Sequence, residues 1–483
     1  MARSRYADRD MAAPPPLPNL VGADLEVPLA TGGRRRYVNL DAAASTPAMR
    51  PVLEAVERAL PWYSSVHRGA GFTSQVSTRL YEAARETVGR FVGARPTDSV
   101  IFVRNTTDAI NHLAHCLRIP EGQVVLTTMV EHHANLLPWR RVAPVVTLPA
   151  PPSPEALLES VTAALRDPAR PVAVLAVTGA SNVTGEVLPV AELARIAHEH
   201  GALIAVDAAQ LAPHRRIDMA AAGIDCLSLS GHKMYAPFGT GALVASTELL
   251  SSCEPLLAGG GAVDFVTLDD VLWTALPDRL EAGSPNVIGA VALAAAAATL
   301  EEVGMERVAQ HERALLDRAR SGLSELPGLV RHQLWPDGPG VDRVGVVTLT
   351  LPRMHHALAA AVLSAEHAIG VRHGCFCAHP YITHLLGISD AEAHHIRDAL
   401  RRGERASIPG AVRASFSIAT TEADVDLFCA ALASMLRDGP ALDYAQDPVT
   451  GDFAPLEDAR VLPRIEPLPE LTAAVHGAGC GQF

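Results

Sequence analysis

The sequence predicts an α/β protein in which a large domain holds a mainly parallel central sheet and a smaller α+β domain follows. In the middle of the chain, short runs rich in β-branched residues alternate with helical patterns, which is typical of parallel strands joined by crossover helices. Several of these strands end in polar residues. After an alanine-rich helix at residues 291–304, the pattern changes to an α+β arrangement.

Three strands are predicted in the middle of the chain, and polar residues follow each of them. Residues 172–177 form a buried strand that ends at a polar loop, and a helix follows between Pro189 and residue 200. Residues 202–206 form a strand that Asp207 follows directly, and residues 226–229 form a strand that ends shortly before Lys233. Open α/β sheets bind ligands at the carboxyl ends of their strands, so this edge is the predicted site, although ordinary polar loops have a similar composition.

The second half predicts the smaller domain. Strands are expected at residues 344–351 and 412–418, and helices at 355–369 and 422–436. Thr421 and Asp424 resemble a capping box that opens the last helix. We therefore divide the chain into a loose N-terminal arm (1–36), a large domain (37–290), a small C-terminal domain (291–438) and a proline-rich C-terminal extension, surface-packed or partly mobile (439–483).

The composition favours work on a small molecule or a protein partner over binding to nucleic acid or membrane. The formal net charge is −13, whereas nucleic acid and anionic lipid attract clustered lysine and arginine. The basic run 34–36 is short and predicts a solvated loop. We find neither an apolar run of about 20 residues nor a secretory signal. Seven scattered cysteines indicate reduced thiols in a cytoplasmic protein rather than a disulfide framework.

Lys233 is the residue best suited to covalent chemistry. It lies in one short run with Ser230 and His232, so an amine, a hydroxyl and an imidazole come together. Burial or charged neighbours lower the pKa of a lysine and make it a Schiff-base partner. Asp207, one short element earlier, would keep a pyridine nitrogen protonated and turn such a ring into an electron sink. The alternative is a surface lysine after a strand.

Residues 105–108 precede a helical pattern at 109–117 and predict an anion site. The hydroxyl groups of Thr106 and Thr107, together with the first backbone N–H groups of a helix, would attract a phosphate. A plain N-cap by Thr106 or Thr107, which any helix would use, is the alternative.

The run EHHAN at residues 131–135 offers an aromatic ring, that of His132, which could stack on a cofactor. Its glutamate and histidines could instead bind a metal. A histidine pair without a third spaced ligand is poor evidence for a metal site, so we expect none.

Cys377 and Arg413 are the candidates in the second half. Cys377 lies near Arg372, which would lower a thiol pKa, whereas a buried and inert thiol is the alternative. Arg413 lies in a predicted strand, where its guanidinium group could bind a substrate carboxylate through two hydrogen bonds or form a surface salt bridge.

Together these runs resemble the class V aminotransferase family, and within it the branch of cysteine desulfurases and selenocysteine lyases. They occur in the family's order and span residues 37–435, which is 399 of 483 residues. The matching pieces are LDAA at 40–43, HRG at 67–69, NTTDAIN at 105–111, EHHAN at 131–135, SNVTG at 181–185, VDAAQ at 206–210, SGHKMY at 230–235, EAGSPN at 281–286, VR at 371–372 with CA at 377–378, and RAS at 413–415.

The resemblance implies a homodimer with the fold-type-I transferase fold and the cofactor pyridoxal 5′-phosphate (PLP). Lys233 would attach the cofactor as a Schiff base, Asp207 would pair with the pyridine nitrogen, and Gln210 would contact the ring hydroxyl. His132 would stack on the ring. The implied phosphate ligands are Thr106, Thr107, Ser230 and His232, joined by Ser284 of the partner subunit. The implied substrate contacts are Ala43, Asn182, Arg372 and Arg413.

The implied reaction converts L-cysteine to L-alanine and leaves the sulfur as a persulfide on Cys377 for an acceptor protein; selenocysteine is the related substrate. This chain carries Cys375 and Phe376 where sulfur-mobilising members commonly have two histidines. That departure lies at the persulfide loop, so two alternatives stay open. One is a PLP-dependent lyase, aminotransferase or epimerase that acts on another amino acid. The other is a non-catalytic sulfur-carrying or metal-binding protein.

Overall fold

The computed structural model describes residues 17–67, 69–406, 408–461 and 463. Its strands are β1 Glu26–Pro28, β2 Arg34–Arg36, β3 Val38–Asn39, β4 Asp98–Val103, β5 Val124–Thr128, β6 Val145–Leu148, β7 Val172–Thr178, β8 Leu203–Asp207, β9 Cys226–Ser230, β10 Gly241–Ser246, β11 Val263–Val266, β12 Val271–Trp273, β13 Val330–His332, β14 Val346–Thr350, β15 Ile369–Gly370, β16 Arg372–Gly374, β17 Ala411–Ser415, β18 Tyr444–Gln446 and β19 Phe453–Pro455. Its α-helices are α1 Arg50–Ala59, α2 Phe72–Phe91, α3 Thr106–Cys116, α4 Pro154–Leu165, α5 Val190–Glu199, α6 Met219–Ala222, α7 Thr247–Leu250, α8 Val287–Val303, α9 Met305–Ser324, α10 His356–His367, α11 His379–Leu385, α12 Asp390–Arg401 and α13 Glu422–Asp438.

The centre of the protein is a mainly parallel sheet, as the sequence predicts. Within the described residues, seven strands pair in the order β4-β10-β9-β8-β7-β5-β6. The pairs from β9 to β6 are parallel, and β10 runs antiparallel to both of its neighbours. Strand β9 is buried at every residue. Strands covered on both faces are apolar throughout rather than alternating, which explains why they were visible in the sequence.

The three predicted strands that point to the site are confirmed. Their observed ends differ from the predicted ends by one residue at most. The observed strands β7, β8 and β9 each end in a polar residue, which is Thr178, Asp207 and Ser230, respectively. The predicted helix between β7 and β8 is α5, with Pro189 at its N-cap. The polar residues therefore lie at neighbouring positions along one edge of the sheet.

The second half contains an antiparallel sheet covered by helices. In the part of the chain that the structure describes, its strand order is β13-β14-β17-β16. Helices α9, α10 and α13 pack with it around a separate apolar core. The capping box of Thr421 and Asp424 at the start of α13 is confirmed. Strand β3 pairs in parallel with β15, and Val38 and Leu40 belong to this second core. The domain boundaries given above stay predictions.

The prediction of a solvated loop at residues 34–36 is wrong. These residues form β2, which pairs with β1 in a short antiparallel hairpin. The arginine side chains are exposed, as their charge requires, but the backbone is paired, and Arg36 forms an ion pair with Asp424 of α13. Residues 1–16 of the predicted loose arm lie outside the described residues.

A second hairpin, β18 and β19, lies in the C-terminal extension and was not predicted. The Tyr444 hydroxyl donates to Glu366 of α10 at 3.0 Å, and Asp452 lies 3.4 Å from His373 of β16. The extension therefore packs against the smaller sheet, one of the two outcomes expected for it. Residues 464–483, including Cys480, lie outside the described range.

The expectation that all cysteines are reduced is also wrong. Cys116 at the end of α3 and Cys253 after α7 form a disulfide, with their Cα atoms 4.8 Å apart. The two residues are 137 positions apart in the sequence. Their pairing depends on how α3 packs on β10, which no local sequence pattern reveals.

Among the described residues, no single helix has both the length and the apolar character needed to cross a membrane. Helices α8 and α9 meet those criteria only when they are taken together, and they are bent by 78° where they join.

Candidate active site

A cavity of about 340 Å³ opens at the carboxyl ends of β7, β8 and β9. This is the edge that the sequence predicts. The cavity collects nearly every predicted site residue, although the sequence spreads them over more than 370 positions. The predicted residues that line it are Ala43, Thr106, Thr107, His132, Asn182, Asp207, Gln210, Ser230, His232, Lys233, Arg372, Cys377 and Arg413.

Lys233 ends a 3₁₀ turn that directly follows β9. The turn needs Gly231, because a Cβ atom there would lie 2.6 Å from the carbonyl oxygen of Thr240. The Lys233 Nζ atom donates to Oε1 of Gln210 at 3.4 Å. Burial lowers the pKa of Lys233 to about 8, although the negative charge of Asp207 opposes that shift. A fraction of the amine is therefore neutral near pH 7, as a nucleophile or base requires.

Asp207 lies at the end of β8 and is only 4% exposed. Its carboxylate accepts a hydrogen bond from the Ala209 N–H group at 2.9 Å. Burial raises the pKa of Asp207, whereas this hydrogen bond and the positive charge of Lys233 lower it. A buried carboxylate of this kind is stabilised by a cationic partner, such as a protonated ring nitrogen.

The Glu131 carboxylate supports the segment that carries His132. Glu131 accepts hydrogen bonds from Thr128 Oγ1 and Asn135 Nδ2, both at 2.7 Å. Burial raises the pKa of Glu131 to about 8. His132 Nδ1 accepts from the Ala134 N–H group at 3.0 Å, which fixes how the ring faces the cavity. The described residues hold no cluster of three or more His, Cys, Asp or Glu side chains arranged to bind a metal ion.

Hydroxyl and N–H groups gather where helix α3 begins. Ser230 Oγ accepts a hydrogen bond from the Thr106 N–H group at 2.8 Å and lies 2.8 Å from Thr106 Oγ1. Asn105 caps the helix by accepting from the Asp108 N–H group at 3.0 Å, so the alternative of an N-cap by Thr106 or Thr107 is wrong. Burial, and then the charge of Lys233, lower the pKa of His232 to about 4. The arrangement suits an anion held by neutral donors and a helix N-terminus.

Arg413 lines the cavity from strand β17 and is 2% exposed. It donates to the Asn182 carbonyl at 2.9 Å and to Asp41 Oδ1 at 3.1 Å, and its guanidinium carbon lies 4.9 Å from the centre of the Phe376 ring. Arg372 is its direct partner across β16 and β17. Two adjacent arginines next to a single aspartate leave positive charge for a carboxylate. The alternative interpretation of Arg413, a surface salt bridge, is therefore wrong.

Cys377 lies in a tight loop between β16 and α11. Both Phe376 and Cys377 have left-handed backbone angles, with φ of 53° and 54°. The Asn182 side-chain amide donates to the Phe376 carbonyl, and the His133 N–H group donates to the Cys377 carbonyl, each at 2.8 Å. Non-glycine residues adopt this conformation at a cost that such contacts must offset.

Cys375 and Cys377 have different surroundings. Cys377 is half-buried and lines the cavity. Cys375 is 8% exposed and lies in an apolar cluster with Val130, Val183 and Tyr381. The inert-thiol interpretation therefore suits Cys375, and Cys377 is the thiol that faces the lysine.

Ser284 lies away from this cavity. It lines a second cavity of about 510 Å³ with His67, Asp278 and other residues. Its predicted role in a partner subunit's site stays a prediction.

Sequence reasoning missed how Asp41 and Phe376 hold Arg413. Asp41 lies inside the matching motif at 40–43, whereas Phe376 is one of the residues that depart from the family pattern. Sequence reasoning also missed the number of lysines in the sequence, which is a simpler signal for the same site. Lys233 is the only lysine among 483 residues, because arginine supplies the other 39 of the 40 basic residues. A chain that keeps one lysine, next to a serine and a histidine, points to that amine as a functional group.

Comparison with known proteins agrees with this geometry. The model of the aminotransferase class-V family matches residues 38–428. A protein of Halalkalibacterium halodurans named probable cysteine desulfurase is 36% identical over 398 residues, which covers 80% of this chain and 90% of that protein. One of the same name from Staphylococcus epidermidis is 37% identical over 409 residues and covers 82% and 92%.

Two solved structures resemble the fold. The cysteine desulfurase of Thermococcus onnurineus aligns with a TM-score of 0.73 at 31% identity, covering 83% of this chain and 95% of that one. The cysteine desulfurase CsdA of Escherichia coli aligns with a TM-score of 0.70 at 32% identity, covering 83% and 94%. The chain therefore belongs to the aminotransferase class-V family of PLP-dependent enzymes.

Proposed function

We propose that this protein is a cysteine desulfurase, which converts L-cysteine to L-alanine and holds the released sulfur as a persulfide on Cys377. The observation that carries the proposal is that Lys233, Arg413 and Cys377 line one cavity. An amine, a carboxylate-binding group and a thiol are the three groups that this reaction needs. The relatives named cysteine desulfurase support the same conclusion.

The residues present fit PLP. Lys233 would attach it, the buried Asp207 would face its ring nitrogen, and His132 would stack on the ring. Thr106, Thr107, Ser230 and His232 would hold its phosphate, with Gln210 near the ring hydroxyl. When bound, PLP supplies an electron-accepting ring that stabilises the negative charge left at Cα of an amino acid.

The substrate carboxylate would bind between the two halves of the protein. Arg413 points into the cavity from β17, Arg372 lies beside it, and Asn182 approaches from the loop after β7. Ala43 closes this end of the cavity, and its N–H group donates to Ser415 Oγ at 2.9 Å. Binding the carboxylate here orients the Cα–H bond and the sulfur atom of cysteine relative to Lys233 and Cys377.

Lys233 would move the protons. Its pKa of about 8 lets Nζ accept the Cα proton and return one at neutral pH. The Cys377 thiolate would attack the sulfur of the bound cysteine, so that an S–S bond forms as the substrate C–S bond breaks. The electron pair of the broken bond stays on Cβ, which takes up a proton and completes alanine.

The protein would work as a cytoplasmic homodimer that delivers sulfur to an acceptor protein. Trp62, Tyr63 and Phe72 are 45%, 54% and 71% exposed, and such a group of aromatic side chains is typical of a surface that a partner covers. In the dimer, Ser284 of the partner subunit would complete the phosphate site.

The test is to mix PLP-loaded protein with L-cysteine and to measure alanine and protein-bound sulfur. We expect both from the wild type and neither from Cys377→Ala. Cys429→Ala in α13, away from the cavity, is the matched control and should behave as the wild type. Alanine formation by Cys377→Ala at the wild-type rate would overturn the persulfide mechanism. Turnover of selenocysteine or another amino acid in place of cysteine would overturn the assignment of cysteine as the substrate.

A further inference from the structure

His214 and Glu312 are buried titratable residues that the mechanism above does not use. His214 follows Gln210 by four residues, and Glu312 lies inside α9. They are 3% and 1% exposed. Ionisable groups at this depth persist only with polar partners, so their contacts indicate what they do.

A continuous chain of hydrogen bonds joins these residues to Lys233. The Lys233 amine contacts Oε1 of Gln210 at 3.4 Å, and Nε2 of Gln210 lies 3.1 Å from Nε2 of His214. The other ring nitrogen of His214, Nδ1, bonds Oε1 of Glu312. Arg215 donates to Oε2 of Glu312 at 2.8 Å.

Donor and acceptor chemistry gives this chain a direction. A lysine ammonium group can only donate, so the side of Gln210 that faces it is the carbonyl oxygen. The amide nitrogen of Gln210 then donates to His214 Nε2, which must carry a lone pair. The proton of the neutral imidazole therefore lies on Nδ1, where the Glu312 carboxylate accepts it.

Arg215 holds the Glu312 carboxylate in place. Its guanidinium group also forms two hydrogen bonds to Asp342, at 2.7 and 2.8 Å, which fix its orientation. Glu312 thus sets the tautomer of His214, and the tautomer sets which end of the Gln210 amide faces the lysine.

We propose that His214 and Glu312 are positioning residues that hold the carbonyl oxygen of Gln210 toward Lys233. The inference concerns the site of the proposed function. An oriented carbonyl stabilises the protonated amine, whereas a turned amide would present N–H groups to it and destabilise that form. The pair thereby tunes the amine that must both bind the cofactor and carry protons.

The test measures the pKa of the Lys233 amine in the full-length, cofactor-free protein. Because the chain contains a single lysine, labelling with an amine-reactive anhydride at a series of pH values, read by peptide mass spectrometry, reports on one side chain. His214→Phe removes the acceptor but keeps Glu312. We expect it to lower the Lys233 pKa by about half a unit. His214→Gln, which keeps an acceptor and a donor on one group, should restore it.

A matched control is His198→Phe in the same half of the protein. It breaks an exposed histidine–carboxylate pair in which His198 Nε2 lies 2.9 Å from Asp225 Oδ2. It should leave the Lys233 pKa unchanged. The titratable groups that act on Lys233 include Asp207, Arg413, Cys377, Asp41 and His232, and those near Glu312, besides His214, include Arg215 and Tyr235. All of these groups other than the substituted residue itself are retained in each variant.

An unchanged Lys233 pKa in His214→Phe, in protein that unfolds at the wild-type temperature, would overturn the proposal. A shift in Glu312→Gln alone, without one in His214→Phe, would also overturn it, since the charge of Glu312 would then act directly. The labelling uses no cysteine and no PLP. Failure of the desulfurase proposal, seen as no alanine, is therefore a separate result.

Discussion

The two walls of the cavity are built differently. On the cofactor wall, Asp207 and Ser230 are strand ends inside the central sheet, and both are almost fully buried. On the sulfur wall, Cys377 lies in a loop with two consecutive left-handed residues and is half-buried. The first wall is fixed by the fold itself, whereas the second is held by hydrogen bonds from Asn182 and His133.

This difference fits the departure from the family pattern that lies in the loop before Cys377. By the resemblance, the residues that would hold PLP all lie in matching motifs, whereas Cys375 and Phe376 stand where sulfur-mobilising members commonly have histidines. A loop can accept a new sequence if its anchors persist, but a strand end in a packed sheet cannot. We therefore expect the chemistry common to the family on the first wall and the specificity on the second.

The largest effect is expected on the cofactor wall. Lys233→Ala should lower turnover by about a thousandfold or more and abolish covalent attachment of PLP, because no other lysine can replace it. Steady-state alanine formation and borohydride trapping of the cofactor check both effects. Lys233→Arg is the control for charge, since it keeps the cation but cannot form the linkage. Covalent PLP in either variant would contradict the role of Lys233.

A substitution on the sulfur wall should instead affect substrate binding. Arg413→Lys removes the guanidinium group that contacts both the Asn182 carbonyl and Asp41. The KM for cysteine should therefore rise about tenfold or more. PLP retention should not change. Arg437→Lys, an exposed arginine on α13, is the matched control and should leave KM unaltered. A loss of PLP from Arg413→Lys would show that the two walls are not independent.

The pH dependence of PLP uptake tests the amine alone. Burial lowers the pKa of Lys233 to about 8, so the neutral, nucleophilic amine increases as the pH rises toward that value. The rate of PLP uptake by the cofactor-free protein should rise about tenfold per pH unit below the midpoint. Stopped-flow absorbance measures it. A midpoint at the ordinary lysine value of about 10.4 would contradict the effect of burial.

The smallest functional effect is expected far from both walls. Replacing Cys116 and Cys253 together by alanine should lower the free energy of unfolding by about 2–4 kcal/mol and leave alanine formation unchanged. Denaturant titration without reductant measures the change. Cys226→Ala, a buried but unpaired cysteine, controls for the loss of side-chain volume. A loss of activity in the double variant would connect the N-terminus of α3, the proposed phosphate site, to this disulfide.

Prediction from the sequence succeeded where local pattern and tertiary structure coincide. Strands β7, β8 and β9 are buried on both faces, so their apolar runs revealed their positions, and Asp207 and Lys233 followed from the strand ends. The capping box at α13 depends on contacts three residues apart. These signals are local, and each was confirmed.

The missed features depend on contacts between distant segments. The disulfide joins residues 137 positions apart, and β3 pairs with β15 more than 300 residues later. The chain of hydrogen bonds from Gln210 to Glu312 runs from the end of β8 in the central sheet to α9. The N-terminal and C-terminal hairpins consist of three-residue strands, which are too short to show periodicity.

The most direct test is mass spectrometry of the PLP-loaded protein after brief exposure to L-cysteine. A desulfurase with the geometry described should gain the mass of one sulfur atom on the peptide that contains Cys377, together with one alanine per sulfur. Cys375, in the same peptide, should stay unmodified in fragment spectra because it packs in the apolar cluster. Alanine without protein-bound sulfur, or sulfur on Cys375 instead, would contradict the assignment of Cys377.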